Sequence, residues 1–191
     1  ALTVPLVGYV DLAHPGDLTV SPHWLRERDN LKLGGYKIFL DGSPQGRTAW
    51  MLEPYLGGDG QDRGYPIHDD ETVTGFVLRA LEEGVQLLAH CNGDAAAAQF
   101  IRCCRAAQAA EDRPVRDIRP VMIHAQLVTP GQLAELKELT GMRTTLTAMG
   151  VPDTQEALDE LAANAAASGN MANDICKATR EDIASLFASL R

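Results

Sequence analysis

Short apolar runs bounded by turn residues alternate along this chain with stretches in which apolar residues recur every three or four positions. Val4 to Val10 is apolar enough for a strand, and Tyr36 to Leu40 is a compact run between Gly34-Gly35 and Asp41-Gly42, the pattern of a buried strand. From Asp70 to Gly84 the period becomes helical. Val73, Phe76, Val77, Ala80 and Leu81 share one stripe, Asp69 or Asp70 caps the start, and Gly84 ends it. Val85 to Ala89 reads as the next strand, and Gly93 to Ala110 as an alanine-rich helix with Asp94 at its positive end. Arg113 to Arg119 links it to a strand over Val121 to Ala125, and Thr129-Pro130 opens a helix through Leu133, Leu136 and Leu139 to Gly141. Residues 11–30 read as loop or short helix, and 43–70, rich in Gly, Pro and Asp, as an excursion over the face where the strands end. Strand and helix in alternation predict an α/β fold.

Three of these strands end in a side chain that can take part in metal chemistry: Lys37 in Gly35-Tyr-Lys-Ile-Phe-Leu-Asp-Gly-Ser43, His90 in Leu87-Leu-Ala-His-Cys-Asn-Gly-Asp94, and His124 in Pro120-Val-Met-Ile-His-Ala-Gln126. A parallel sheet or barrel gathers the carboxyl ends of its strands on one face, so the three can converge. Each has a plainer reading. Lys37 can leave the core with its ammonium paired to Asp41, and either histidine can be a satisfied core residue. Asp41 and Asp94 sit in Asp-Gly and Gly-Asp pairs that favour turn and cap geometry over acid or base work. Arg47 can orient a substrate carboxylate or carbonyl, or form a surface salt bridge. His14, His23 and His68 lie in polar, loop-like text without ligand spacing.

Taken together with Arg47-Thr48-Ala49 and Glu53-Pro54-Tyr55, these strings resemble the amidohydrolase superfamily in its N-substituted formamide deformylase-like branch, over about residues 2–136. The resemblance implies part of a (β/α)8 TIM-like barrel, about three to four βα units, with one or two divalent metals at its carboxyl face. It implies a carboxylated lysine at Lys37, and His90 and His124 as imidazole ligands at the fifth and sixth barrel strands. Asp41 and Arg47 complete, with Lys37, the candidate catalytic set. A carbamate turns a cation into a two-oxygen anionic ligand, and neutral imidazole suits zinc. The reaction implied is hydrolysis of an amide-type, non-peptide C–N bond in a small molecule by a metal-activated water. The His-x-His pair of the family's first strand and the Asp of its last are absent from this text, so an incomplete, inactive form is the companion expectation, with a non-catalytic α/β interaction domain as the alternative.

Residues 141–191 change character and read as a helical C-terminal extension, apart from the barrel portion at 1–140. Leu158 to Ala167 is one helix. Thr179, followed three positions later by Asp182, caps another whose stripe is Ile183, Leu186, Phe187 and Leu190. This pattern is similar to the C-terminal helices of iron-containing alcohol dehydrogenases, without a metal ligand or nucleotide loop of that family. A partial barrel exposes two strand edges, which predicts a homo-oligomer, a complementing chain, or the C-terminal helices packed across one edge.

Composition narrows the partners. In 191 residues, 45% hydrophobic content supports a proper core, while a net charge of -9 with pI near 4.9 and no basic run argues against nucleic acid. No apolar stretch nears the roughly 20 residues of a membrane span. The first residues carry neither an initiator Met nor a basic leader and read as the interior of a longer protein. Cys91, Cys103, Cys104 and Cys176 form no C-x-x-C pair, which favours reduced, packed thiols and a cytoplasmic setting.

Overall fold

The computed structural model describes residues 3–14, 29–57, 60–142, 145–167 and 179–189. His23, Cys176 and Leu190 lie outside them. The chain divides into two compact units, Ala1–Gly141 and Met142–Arg191.

The first unit is a four-stranded, wholly parallel sheet in the order β1-β2-β3-β4, with β1 at Leu6–Asp11, β2 at Leu31–Phe39, β3 at Gln86–Cys91 and β4 at Val121–His124. Sequential neighbours without a reversal of order distinguish this from a doubly wound sheet and match a run of barrel strands. Among its described residues are three helices, α1 (Asp70–Glu83), α2 (Asp94–Glu111) and α3 (Pro130–Thr140), with a 3₁₀ turn at Val115–Ile118. The predicted strands and helices of this unit are all present, while most of the predicted loop or short helix at 11–30 lies outside the described residues. The second strand begins five residues earlier than its apolar run, because Leu31, Lys32 and Leu33 pair with β1, and Gly35 with both β1 and β3, although Leu31 and Lys32 are exposed.

Capping sets the helix limits. Asp69 accepts from the Thr72 amide at the start of α1, and Gly84 ends it in the left-handed region. Thr129 and Gln132 form a reciprocal capping box on α3, with Pro130 in its first turn. Alternation along the strands sorts the two faces of the sheet. Tyr36, Ile38 and Leu40, with Leu87, Ala89 and Cys91, face the helices and are fully buried against Val73, Val77, Ala80 and Leu81 of α1 and Ala96, Phe100, Cys103 and Cys104 of α2. The Tyr36 hydroxyl meets its need by donating to Glu83, itself held by Arg79 at 2.9 Å.

The opposite face carries Tyr9, Lys37, Phe39, Gln86, Leu88, His90 and Ile123, and it is only partly covered. At its amino end the Tyr9 hydroxyl donates to Gln86 Oε1 at 2.7 Å, and Gln86 Nε2 donates to the Arg119 carbonyl at 2.9 Å. The register between β1 and β2 slips at Gly8/Tyr9, and the extra residue must be glycine: a Cβ on Gly34 would stand 2.5 Å from the Tyr9 ring.

The second unit holds α4 (Gln155–Ala166) and α5 (Arg180–Ala188), which pack on each other. Thr154 caps α4, and the predicted Thr179–Asp182 cap of α5 is a full capping box. Leu158, Ala162 and Ile183 are buried, but Leu186 of the predicted stripe is 59% exposed, since two short helices cannot enclose both flanks of one another. No helix among the described residues is long and apolar enough to cross a membrane.

Phe100→Ala should cost about 3–5 kcal/mol in a urea titration, since a fully buried aromatic leaves a cavity. Leu186→Ala should stay within about 0.5 kcal/mol. Burial, with the Asp41 charge adding to it at Cys91, pushes the Cys91 and Cys104 thiols well above the usual range. Both therefore remain protonated past pH 8 while folded. Iodoacetamide at that pH, read by peptide mass, should label them only after denaturation.

Candidate metal centre

Lys37, His90 and His124 stand on the uncovered face near the carboxyl ends of β2, β3 and β4. Phe39 pairs in register with His90, and Lys37 with Leu88, which puts Lys37 one row below His90 on the adjacent strand. The Lys37 ammonium lies 4.8 Å from the centroid of the Phe39 ring, and that ring is 5.4 Å from the imidazole of His90. Partial burial lowers the Lys37 pKa from its ordinary value, enlarging the share of neutral amine.

His124 reaches the group by an unusual backbone route. Its register partner Cys91 points into the helices, so plain alternation would send His124 the same way. Instead His124 and Ala125 both adopt positive φ, 70° and 47°, a conformation that costs non-glycine residues about 1–2 kcal/mol each. The Ala125 and Leu127 amides hold the turn by donating to the Cys91 and Asn92 carbonyls, each at 3.0 Å. The result is an edge-to-face meeting of the His124 and His90 rings, centroids 4.7 Å apart. His124 is exposed, whereas the His90 side chain is only 16% accessible.

His90 is anchored through one nitrogen. Its Nε2 lies 3.1 Å from the Gly42 carbonyl, 3.0 Å from Asn92 Nδ2 and 3.7 Å from Asp41 Oδ1, while Nδ1 has no hydrogen-bond partner among the described residues. Asp41 is 1% exposed. Its Oδ1 accepts from the Asn92 amide at 2.9 Å, and its Oδ2 from the Gly93 and Trp50 amides at 2.7 and 3.0 Å. The turn-organising alternative for Asp41 is thus realised in its contacts, and Lys37 is not its partner. Arg47 donates to Asp62 Oδ2 at 2.8 Å and to the Leu56 carbonyl at 3.2 Å, above the Tyr55 ring. Its guanidinium holds the Asp62 carboxyl below the usual range. These bonds tie Arg47 into the 42–69 excursion, apart from the two imidazoles.

Sequence reasoning passed over Asn92 and Phe39. The Asn-Gly-Asp run after β3 was the available signal: Asn92 Nδ2 donates to the Gly42 carbonyl at 2.7 Å, and Asp94 Oδ1 accepts from the Leu52 amide at 2.8 Å. His14 contacts Asp11, and His68 stacks edge-on against Phe76. Among the described residues no three His, Cys, Asp or Glu side chains cluster as a metal site. Two imidazoles and Lys37 are what this face offers. Carboxylated, Lys37 would supply the third ligand that a catalytic zinc site requires, so the set fits a divalent ion.

Residues 9–181 match the family model described as the Amidohydrolase family, and the match runs through both compact units. YtcJ of Bacillus subtilis (strain 168), whose name places it with the amidohydrolases, is 35% identical over 99 residues, 51% of this chain and 17% of its own length. Protein LONG AFTER FAR-RED 3 of Arabidopsis thaliana is 31% identical over 109 residues, covering 57% of this chain and 18% of its own. The chain therefore spans less than a fifth of the curated relatives it matches. A solved metal-dependent hydrolase of Pyrococcus furiosus, uncharacterized in function, superposes with a TM-score of 0.50 at 28% identity, over 60% of this chain and 22% of that one.

Gly93 is where the excursion and α2 touch: a Cβ there would fall 1.8 Å from the Trp50 carbonyl oxygen. Gly93→Ala should lose about 1–3 kcal/mol in urea unfolding and open the 42–69 segment to limited proteolysis.

Proposed function

The chain belongs to the amidohydrolase family, and on that premise we propose that it forms the metal-binding middle of a hydrolase acting on amide-type, non-peptide C–N bonds of small molecules. His90 and His124 would hold the ion, zinc by the preference of imidazole, and Lys37 would join them as a carbamate. The observation that supports this most directly is the approach of the two imidazoles on the face that also carries Lys37. A divalent ion held there would supply Lewis acidity, polarising a carbonyl or lowering the pKa of a water.

The chain's own groups prepare that site. The Gly42 and Asn92 contacts hold the His90 ring by Nε2, leaving Nδ1 without a hydrogen-bond partner among the described residues. The Phe39 ring contacts both the Lys37 amine and the His90 ring, setting an apolar surface beside each. The lowered Lys37 pKa favours the neutral amine, the form that combines with carbon dioxide. The net charge of -9 suits a small-molecule substrate better than a polyanion, and the free, buried cysteines suit the cytoplasm.

A second reading, a non-catalytic domain that keeps the barrel framework, is favoured by the lack of a three-residue His/Cys/Asp/Glu cluster among the described residues. Metal content separates the two. The full chain, dialysed with zinc and bicarbonate, should retain about one zinc per chain by mass spectrometry of the digest, and His90→Ala or His124→Ala should each remove most of it. Carbon-13 bicarbonate should give a carbamate resonance that Lys37→Met abolishes. Substoichiometric metal indifferent to both histidine substitutions would sink the hydrolase reading.

A further inference from the structure

The buried Asp41 carboxylate does more than close a turn. A charge 1% exposed is tolerated only when hydrogen bonds replace its water, and here three backbone amides do so, from Trp50, Asn92 and Gly93. Among the described residues no Lys or Arg side chain bonds it, and its Oδ1 lies 3.7 Å from His90 Nε2.

We infer that Asp41 is a positioning residue that selects which ring nitrogen His90 presents to the uncovered face of the sheet. Two acceptors bear on Nε2, the Gly42 carbonyl at 3.1 Å and the Asp41 carboxylate beyond it, and both favour a proton there. One donor opposes them. Asn92 Nδ2, at 3.0 Å, would favour a lone pair on Nε2 and the proton on Nδ1. That donor is also committed to the Gly42 carbonyl at 2.7 Å, and it is neutral, whereas the field it opposes comes from a full charge. Asp41 controls the donor too, because its Oδ1 fixes the Asn92 backbone. The outcome is an Nε2–H tautomer, with the Nδ1 lone pair directed away from the network. Asn92 Oδ1, buried without a hydrogen-bond partner among the described residues, records the cost of holding the amide in this orientation.

The importance of this selection for metal binding rests on the reading of His90 as a ligand. The tautomer itself does not, and it can be measured without metal or activity. The full chain, labelled with nitrogen-15 histidine, stripped with chelator and held near pH 8.5, about two units above the ordinary imidazole pKa, would be examined by two-bond proton–nitrogen correlation. His90→Gln identifies the His90 signals. We expect the Nε2–H form to exceed Nδ1–H by about tenfold. Asp41→Asn, which removes the charge but keeps a side-chain acceptor, should bring the ratio near unity or invert it. Asn92→Ala, with Asp41 intact, should leave Nε2–H dominant.

A dominant Nδ1–H form in the unsubstituted chain overturns the inference, as does an unchanged ratio in folded Asp41→Asn. Should Asp41→Asn fail to fold, Nε2–H in both the unsubstituted chain and Asn92→Ala supports the inference, and Nδ1–H in either overturns it. Loss of zinc binding with the Nε2–H form in place would refute the hydrolase reading alone.

Discussion

One buried carboxylate joins three segments that are far apart in the chain. Asp41 follows β2, and its two oxygens accept amides from Trp50 in the excursion and from Asn92 and Gly93 between β3 and α2. Removing it would strand three amide donors in the interior, each costing about 1–3 kcal/mol. The same carboxylate places the Gly42 carbonyl and Asn92 against His90. The candidate centre is therefore built from the inside outward: a desolvated anion organises backbone, the backbone orients an imidazole, and only the far side of that imidazole meets the open face.

The sheet itself shows a division of labour between its faces. Parallel sheets ordinarily bury both, and their strands read as continuous apolar runs. Here the helix-covered face is apolar, with Ile38, Leu87 and Ala89 on it in one core cluster with Phe100 of α2. The other face interleaves Phe39, Leu88 and Ile123 with Tyr9, Lys37, Gln86 and His90. Polar residues on a barrel-type interior face are expensive unless they are bonded or used. Tyr9 and Gln86 are bonded to each other, and His90 is held by Gly42 and Asn92, while Lys37 and His124 each lie against a neighbouring ring.

Much of this could be read from the residues alone. Helix limits followed from local signals that act over three or four positions: Asp69 and Gly84 around α1, Thr129 and Pro130 at the start of α3, Thr179 and Asp182 at the start of α5. The grouping of His90 with His124 was legible because consecutive parallel strands deliver their ends to one face. What could not be read depended on contacts at long separation or on backbone angles. Arg47 carries no mark of its bond to Asp62, fifteen residues on. The early start of β2 is imposed by pairing with β1 rather than by apolar content. The turn of His124 is the clearest case, since strand periodicity would place it among the helices, and only two left-handed residues in succession bring it round.

The bonded layer of Tyr9, Gln86 and the Arg119 carbonyl gives this face a polarity of another kind. Satisfied and running from β1 through β3 to the residue pair before β4, it fixes the amino end of the face with two hydrogen bonds. The two imidazoles stand at the other end of the same strands, beside Asp41 and the turn that follows β4. Side chains at the carboxyl end can therefore change without disturbing the bonded layer, which leaves the holding of the strands and the groups that meet a ligand at opposite ends of one sheet.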